Sequence, residues 1–170
     1  MTTEEKENLF IEAYSFDRLT FDEFSSKHNI ERAEVSILYD RTKEQTMLIQ
    51  KIRDKYNSIL NRSKSDFNNF KEFFDWYQNQ EKECYYCKIS QNNLEQLFNQ
   101  RILISKKFNG TLHIERFNSD KPYSKSNCGL ACAICNNAKS DFISKNDFEI
   151  FIAPAIKKYL SQKIGVQNEK

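Results

Sequence analysis

Four of the five cysteines lie in two Cys-x-x-Cys pairs, Cys84/Cys87 and Cys132/Cys135, with 44 residues between them. Thiolates at i and i+3 grip one tetrahedral ion from a tight turn, and two such turns supply the four sulfurs that close a structural Zn²⁺ site. Two distant segments of the chain must therefore meet. Cys128, four residues before Cys132, is expected to be a small buried residue and not a ligand, because the shell is already full. An odd cysteine count in this arrangement favours metal in a reducing compartment over a disulfide framework, so a cytoplasmic protein is expected. The first residues, MTTEEKENLF, are acidic and polar, unlike a secretory signal, and no run of 18 apolar residues offers a membrane span.

Only 3 Gly and 2 Pro occur in 170 residues, which predicts dominant helices, few loops, and either one compact core or a small core with a helical appendage. The net charge of +2 conceals an asymmetry. Residues 1–50 hold 6 Lys and Arg against 11 Asp and Glu, whereas residues 84–170 hold 13 against 7. The basic balance accompanies the cysteines. A phosphate-binding surface is expected there, since basic side chains supply most of the sequence-independent affinity for nucleic acid.

Thr20 and Glu23 form a capping box ahead of FDEFSSKH, and residues 31–41 follow with Val35, Leu38 and Tyr39 at helical spacing. This outlines a helix-turn-helix, but Glu31, Glu34 and Asp40 would face phosphates unfavourably, so packing or dimerisation is preferred to DNA contact. A second apolar stripe runs through residues 47–60. The polar run 61–66 (NRSKSD) reads as a hinge, dividing the chain into an N-terminal helical region, residues 1–62, and a zinc-binding domain, residues 63–165. Phe67, Phe70, Phe74 and Tyr77 form an aromatic stripe expected in a core, and residues 92–99 form a short helix.

Asn109-Gly110 signals a turn before a strand over residues 111–117. A loop over 118–126, a second strand over 127–131, the second knuckle and a helix beginning near Asn136 complete a ββα unit. Glu115-Arg116, Asn127 and the run Cys132-Ala-Ile-Cys135-Asn136-Asn-Ala-Lys139 give this unit a resemblance to the HNH (ββα-metal) endonuclease family. Over residues 66–160 the chain is most similar to rare-cutting restriction enzymes of that family, in which a DR…GY…N…LAC..CN..KS pattern replaces the usual DH. The resemblance implies an α+β, mostly helical protein with a ββα-metal (HNH) core, a pair of zinc knuckles supplying four cysteines, and an N-terminal helical region. It also implies a metal-dependent endonuclease of the type II restriction kind, acting on double-stranded DNA as a homodimer because one site cuts one strand.

A hard cation such as Mg²⁺ or Mn²⁺ prefers oxygen ligands and keeps several waters, so one carboxylate and one amide, Glu115 and Asn136, suffice to hold it. In the common family pattern a His directly after the acid is the general base. Here that position is Arg116, which stays protonated and can only clamp phosphate. Two candidates remain for the base. The resemblance points to Tyr123, whose phenolate a neighbouring cation would favour, while His113 has the better intrinsic pKa and shares the strand face of Glu115. Asn127 joins them as a catalytic candidate, and Lys139 is expected to contact backbone phosphate. The rival expectation is a zinc-knuckle nucleic-acid-binding protein with a decayed HNH site, favoured by the missing His.

Overall fold

A capping box opens the chain: the Thr2 side chain accepts from the Glu5 amide and Glu5 answers at the Thr2 amide, starting helix α1, Thr3–Ser15. The computed structural model describes residues 1–62 and 64–165. Its backbone falls into two compact units, Met1–Ser58 with Asn68–Tyr77, and Ile59–Phe67 with Gln78–Lys170.

In the first unit the Thr20–Glu23 box starts α2, Phe21–His28, as expected. Asn29 ends it in the left-handed region at φ 52, where an Asn is tolerated. Next comes α3, Arg32–Leu60, a single helix of 29 residues in place of the two stretches read from the sequence. The polar interruption between those stretches is absorbed by Thr42 and Thr46, both buried, whose hydroxyls donate back to the carbonyls of Leu38 (2.8 Å) and Lys43 (3.0 Å). Phe10, Ala13, Phe24, Ile30, Val35 and Leu38 form the core of α1, α2 and the start of α3.

Helix α4, Phe70–Gln78, buries Phe70, Phe73, Trp76 and Tyr77. The register differs from the expected stripe, since Phe74 is only partly buried while Phe73 and Trp76 turn inward. Tyr56 of α3 lies 5.8 Å from the Phe70 ring and 5.2 Å from Phe73, and Arg53 stacks 3.7 Å over Phe70 while donating to the Ser15 carbonyl. These contacts tie residues 68–77 to the N-terminal unit, so each compact unit is made of two stretches of sequence. Residue 63, the expected start of the second domain, lies outside the described residues.

The second unit holds α5, Gln91–Asn99; β1, His113–Arg116; β2, Cys128–Ala131; α6, Ala133–Lys139; α7, Lys145–Asp147; a π-helical turn, Phe148–Ile152; and α8, Ala153–Gly165. The strands pair antiparallel with Glu115 opposite Gly129 and Arg116 opposite Cys128. Strand, strand and helix follow in the expected ββα order. The helix begins earlier than expected, because Cys132 is itself the N-cap of α6.

The turn expected at Asn109-Gly110 is made by the Asn109 side chain, whose Oδ1 accepts from the Thr111 amide (3.2 Å), and Gly110 does not take a positive φ. It is there for close approach: a Cβ would lie 2.7 Å from the Glu95 Cα. Gln91 of α5 grips the strand entry with both ends of its amide, donating to the Gly110 carbonyl (2.6 Å) and accepting from the Leu112 amide (2.9 Å). No helix among the described residues is long and apolar enough to cross a membrane.

Candidate active site

The first knuckle closes through Lys88, which takes φ 63 so that its amide reaches the Cys84 carbonyl (2.9 Å) while the Cys84 amide donates to Ile89 (2.8 Å). The second is the first turn of α6, where the Cys135 amide donates to the Cys132 sulfur at 3.4 Å. All four sulfurs lie within 4.8 Å of one another, with Cys87 Sγ 3.7 Å from Cys132 Sγ. Tetrahedral bonds of about 2.3 Å put sulfurs ~3.8 Å apart, so this buried set has the dimensions to hold a metal ion such as zinc. Hydrogen bonds from Cys132, Cys135 and Cys87 hold the Cys84 thiol far below its ordinary value, while those to Cys132 and Cys84 push Cys135 up. Cys128 stays outside the cluster, and burial raises its thiol to about 12, leaving it protonated and inert.

Two contacts join this metal-binding corner to the strands. The Tyr85 amide donates to the Leu130 carbonyl of β2 at 2.7 Å. The Tyr85 ring packs 4.6 Å from Phe117, and Lys145 lies over both rings. Phe117 in turn occupies the space a side chain at residue 129 would need: a Cβ there would sit 2.8 Å from the ring tip. Gly129 thus lets the sheet close at the residue opposite Glu115.

Beside the strands is a cleft of about 280 Å³, lined by Glu115 and Arg116 of β1, Asn136 of α6, Tyr123, Arg62 and Asp141. Glu115 is only 6 % exposed. Its Oε1 accepts from the Lys139 ammonium at 3.0 Å, and no hydrogen bond or ion pair occupies Oε2 among the described residues. Burial pushes the Glu115 carboxyl above its ordinary value, and Lys139 and Arg116 pull against that without cancelling it. Lys139 also donates to the carbonyls of Arg116 (3.2 Å) and Ser140 (3.3 Å), so three acceptors meet its three protons. The Ser140 carbonyl reaches it from an unusual backbone state, φ 53 and ψ −149, rarely tolerated outside glycine.

Lys139, expected to contact phosphate, is 1 % exposed, and its ammonium faces Glu115 and two carbonyls. Asn127, a catalytic candidate by sequence, is engaged elsewhere. It does not line the cleft; its side chain accepts from the Asn118 amide (2.9 Å) and donates to the carbonyls of Asn118 (2.9 Å), Lys121 (3.4 Å) and Pro122 (3.0 Å). It fixes the loop that delivers Tyr123.

Tyr123 is held from the other side by residues 64–66, its amide donating to Lys64 (3.1 Å) and its carbonyl accepting from Asp66 (2.8 Å) in a parallel bridge with Ser65. The Arg116 guanidinium lies 4.9 Å over its ring and donates to the Lys121 carbonyl at 3.2 Å. The cleft lining does not include His113, whose ring meets Phe108 at 5.8 Å. Sequence reasoning missed Arg62 and Asp141. Asp141 directly follows the KS motif, where a charged residue at a helix end carries no distinguishing mark, and its carboxyl is held below the ordinary value by the Ser140 hydroxyl.

No family model matches this chain, and no curated protein matches it. Among solved structures it is similar to PacI, a rare-cutting HNH restriction endonuclease, at 28 % identity and a TM-score of 0.51, over 66 % of this chain and 76 % of that one. The likeness and the cysteine cluster agree with an α+β fold, mostly helical, built on an HNH-type core.

Proposed function

We propose that this protein is a metal-dependent DNA endonuclease of the HNH type, a restriction enzyme acting on double-stranded DNA as a homodimer, with structural Zn²⁺ in the cysteine cluster and Mg²⁺ or Mn²⁺ in the cleft. The observation that carries the reading is the joint presence of Glu115 and Asn136 in one cleft, one from β1 and the other from α6, the helix whose first turn is the second cysteine knuckle. The PacI likeness supports the substrate class.

The donor set suits a hard cation: a carboxylate oxygen with no partner among the described residues and a half-buried amide, with room for waters. When bound, such an ion would stabilise charge developing on a phosphodiester and its leaving oxygen. Glu115 and Asn136 would hold it. Lys139 keeps the carboxylate aimed by occupying only Oε1. Tyr123, wedged between the Asn127-tied loop and residues 64–66, is the residue of choice to take a proton from water, because it lines the same cleft as Glu115 and Asn136 and its backbone is fixed on both sides. Arg116, unable to act as base, can turn a guanidinium edge to the phosphate.

The test is incubation of purified protein with supercoiled and linear DNA of varied sequence in Mg²⁺ or Mn²⁺. Cleavage is expected, lost in Glu115→Ala with DNA binding retained. Intact DNA throughout, with salt-dependent binding that Glu115→Ala leaves unchanged, would establish the non-catalytic binding protein instead.

A further inference from the structure

We infer that Arg62 is a phosphate-contacting residue of this cleft, filling the role that the sequence suggested for Lys139. The inference rests on the nuclease reading above. Arg62 stands outside the ββα unit, just past the end of α3, where its amide donates to the Ile59 carbonyl at 3.2 Å. It nevertheless lines the same cleft as Glu115, Tyr123 and Asn136. Its position is not incidental, because the chain two to four residues later is bolted to Tyr123 by two backbone hydrogen bonds and a β-bridge.

The cations around the cleft differ in what already holds them. Lys139 is buried and meets three acceptors. Arg116 lies over Tyr123 and donates to the Lys121 carbonyl. The Arg62 side chain is exposed and makes no ion pair, hydrogen bond or ring contact among the described residues. An unengaged guanidinium at the mouth of a site that also holds Glu115 and Asp141 offers the paired N–H donors that suit two phosphate oxygens. It also offsets the repulsion those carboxylates exert on an approaching polyanion.

The experiment uses the full-length zinc-loaded protein, a fluorescein-labelled duplex of about 30 base pairs in chelator-treated, Mg²⁺-free buffer for binding, and supercoiled plasmid with Mg²⁺ for cleavage. Arg62→Ala is expected to lower the slope of log K against log salt by about one, to slow plasmid nicking roughly tenfold or more, and to leave the unfolding midpoint unchanged. Arg62→Lys is expected to restore the salt slope but only part of the rate, since a point charge replaces the fork. If the wild type neither binds nor cuts, the nuclease reading fails. If it does both and Arg62→Ala matches it in salt slope and rate, the role given to Arg62 is overturned while the nuclease stands. An Arg62→Ala defect traceable to a lowered unfolding midpoint, with Arg62→Lys equally impaired, would likewise overturn it.

Discussion

Replacing Lys139 by Met keeps an unbranched chain of similar volume in a site 1 % exposed and removes only the ammonium. At the 3.0 Å separation of the pair, and with an effective dielectric of about 20, the lost attraction is roughly 5 kcal/mol before the relief of lysine desolvation is counted. Breaking a buried pair from one side nets about 3–5 kcal/mol, because the other charge is left without compensation. The carbonyls of Arg116 and Ser140 lose a donor as well. Lys139→Met should thus destabilise the second unit by about 3–5 kcal/mol, and adding Glu115→Gln should return most of that. Trp76 belongs to the first unit, so the second is followed by hydrogen exchange of peptides spanning residues 112–140 across a urea series. A loss below about 1 kcal/mol in Lys139→Met, or a double variant no more stable than the single one, would refute the claim that the ion pair organises the site.

The raised Glu115 pKa gives a second expectation. Its charged form is disfavoured by folding, so the metal-free protein carries a stability cost at neutral pH that is relieved as pH falls through the raised value. Mn²⁺ binding followed by electron paramagnetic resonance should accordingly weaken on acidification at a pH above the ordinary carboxylate range; a midpoint at or below about 4.3 would contradict this. Stripping zinc with a strong chelator should unfold the region around the knuckles, with about one ion released per chain, and Cys132→Ser should reproduce it; elemental analysis finding no zinc in a fully folded protein would exclude the assignment. Asn127→Ala leaves the Asn118 amide and three loop carbonyls without their partner, so it should cost about 1–3 kcal/mol and speed amide exchange in residues 118–123, an effect absent if the loop is held by other means.

What the sequence disclosed follows from what is local. The Thr20–Glu23 box, the strand pair and the knuckle at Cys132 are each written within a few residues, and each appears close to where spacing puts it. The Thr2–Glu5 box carries the same signature, but it sits in a polar chain start that reads first as evidence about targeting. Long-range partnership was legible where paired cysteines marked both ends, and not elsewhere. Nothing near Lys139 announces that its helix points it inward at Glu115, 24 residues earlier, because a lysine three residues after Asn136 has the same local pattern whether it faces water or a buried carboxylate. Gly110 illustrates the same limit: an Asn-Gly pair spells a turn locally, whereas the glycine is small because α5 runs across it.

Arg62 marks the step that spacing could not supply. A polar run after a long helix reads as a hinge, and hinges are not searched for chemistry. Yet residues 64–66 add a backbone bridge to Tyr123, and that bridge makes the linker part of the cleft wall. The same hydrogen bonds that fix the candidate base also fix where the linker's arginine emerges. A change in linker length between Leu60 and Ser65 should therefore disturb phosphate contact and the Tyr123 position together, coupling two properties that a flexible tether would leave independent.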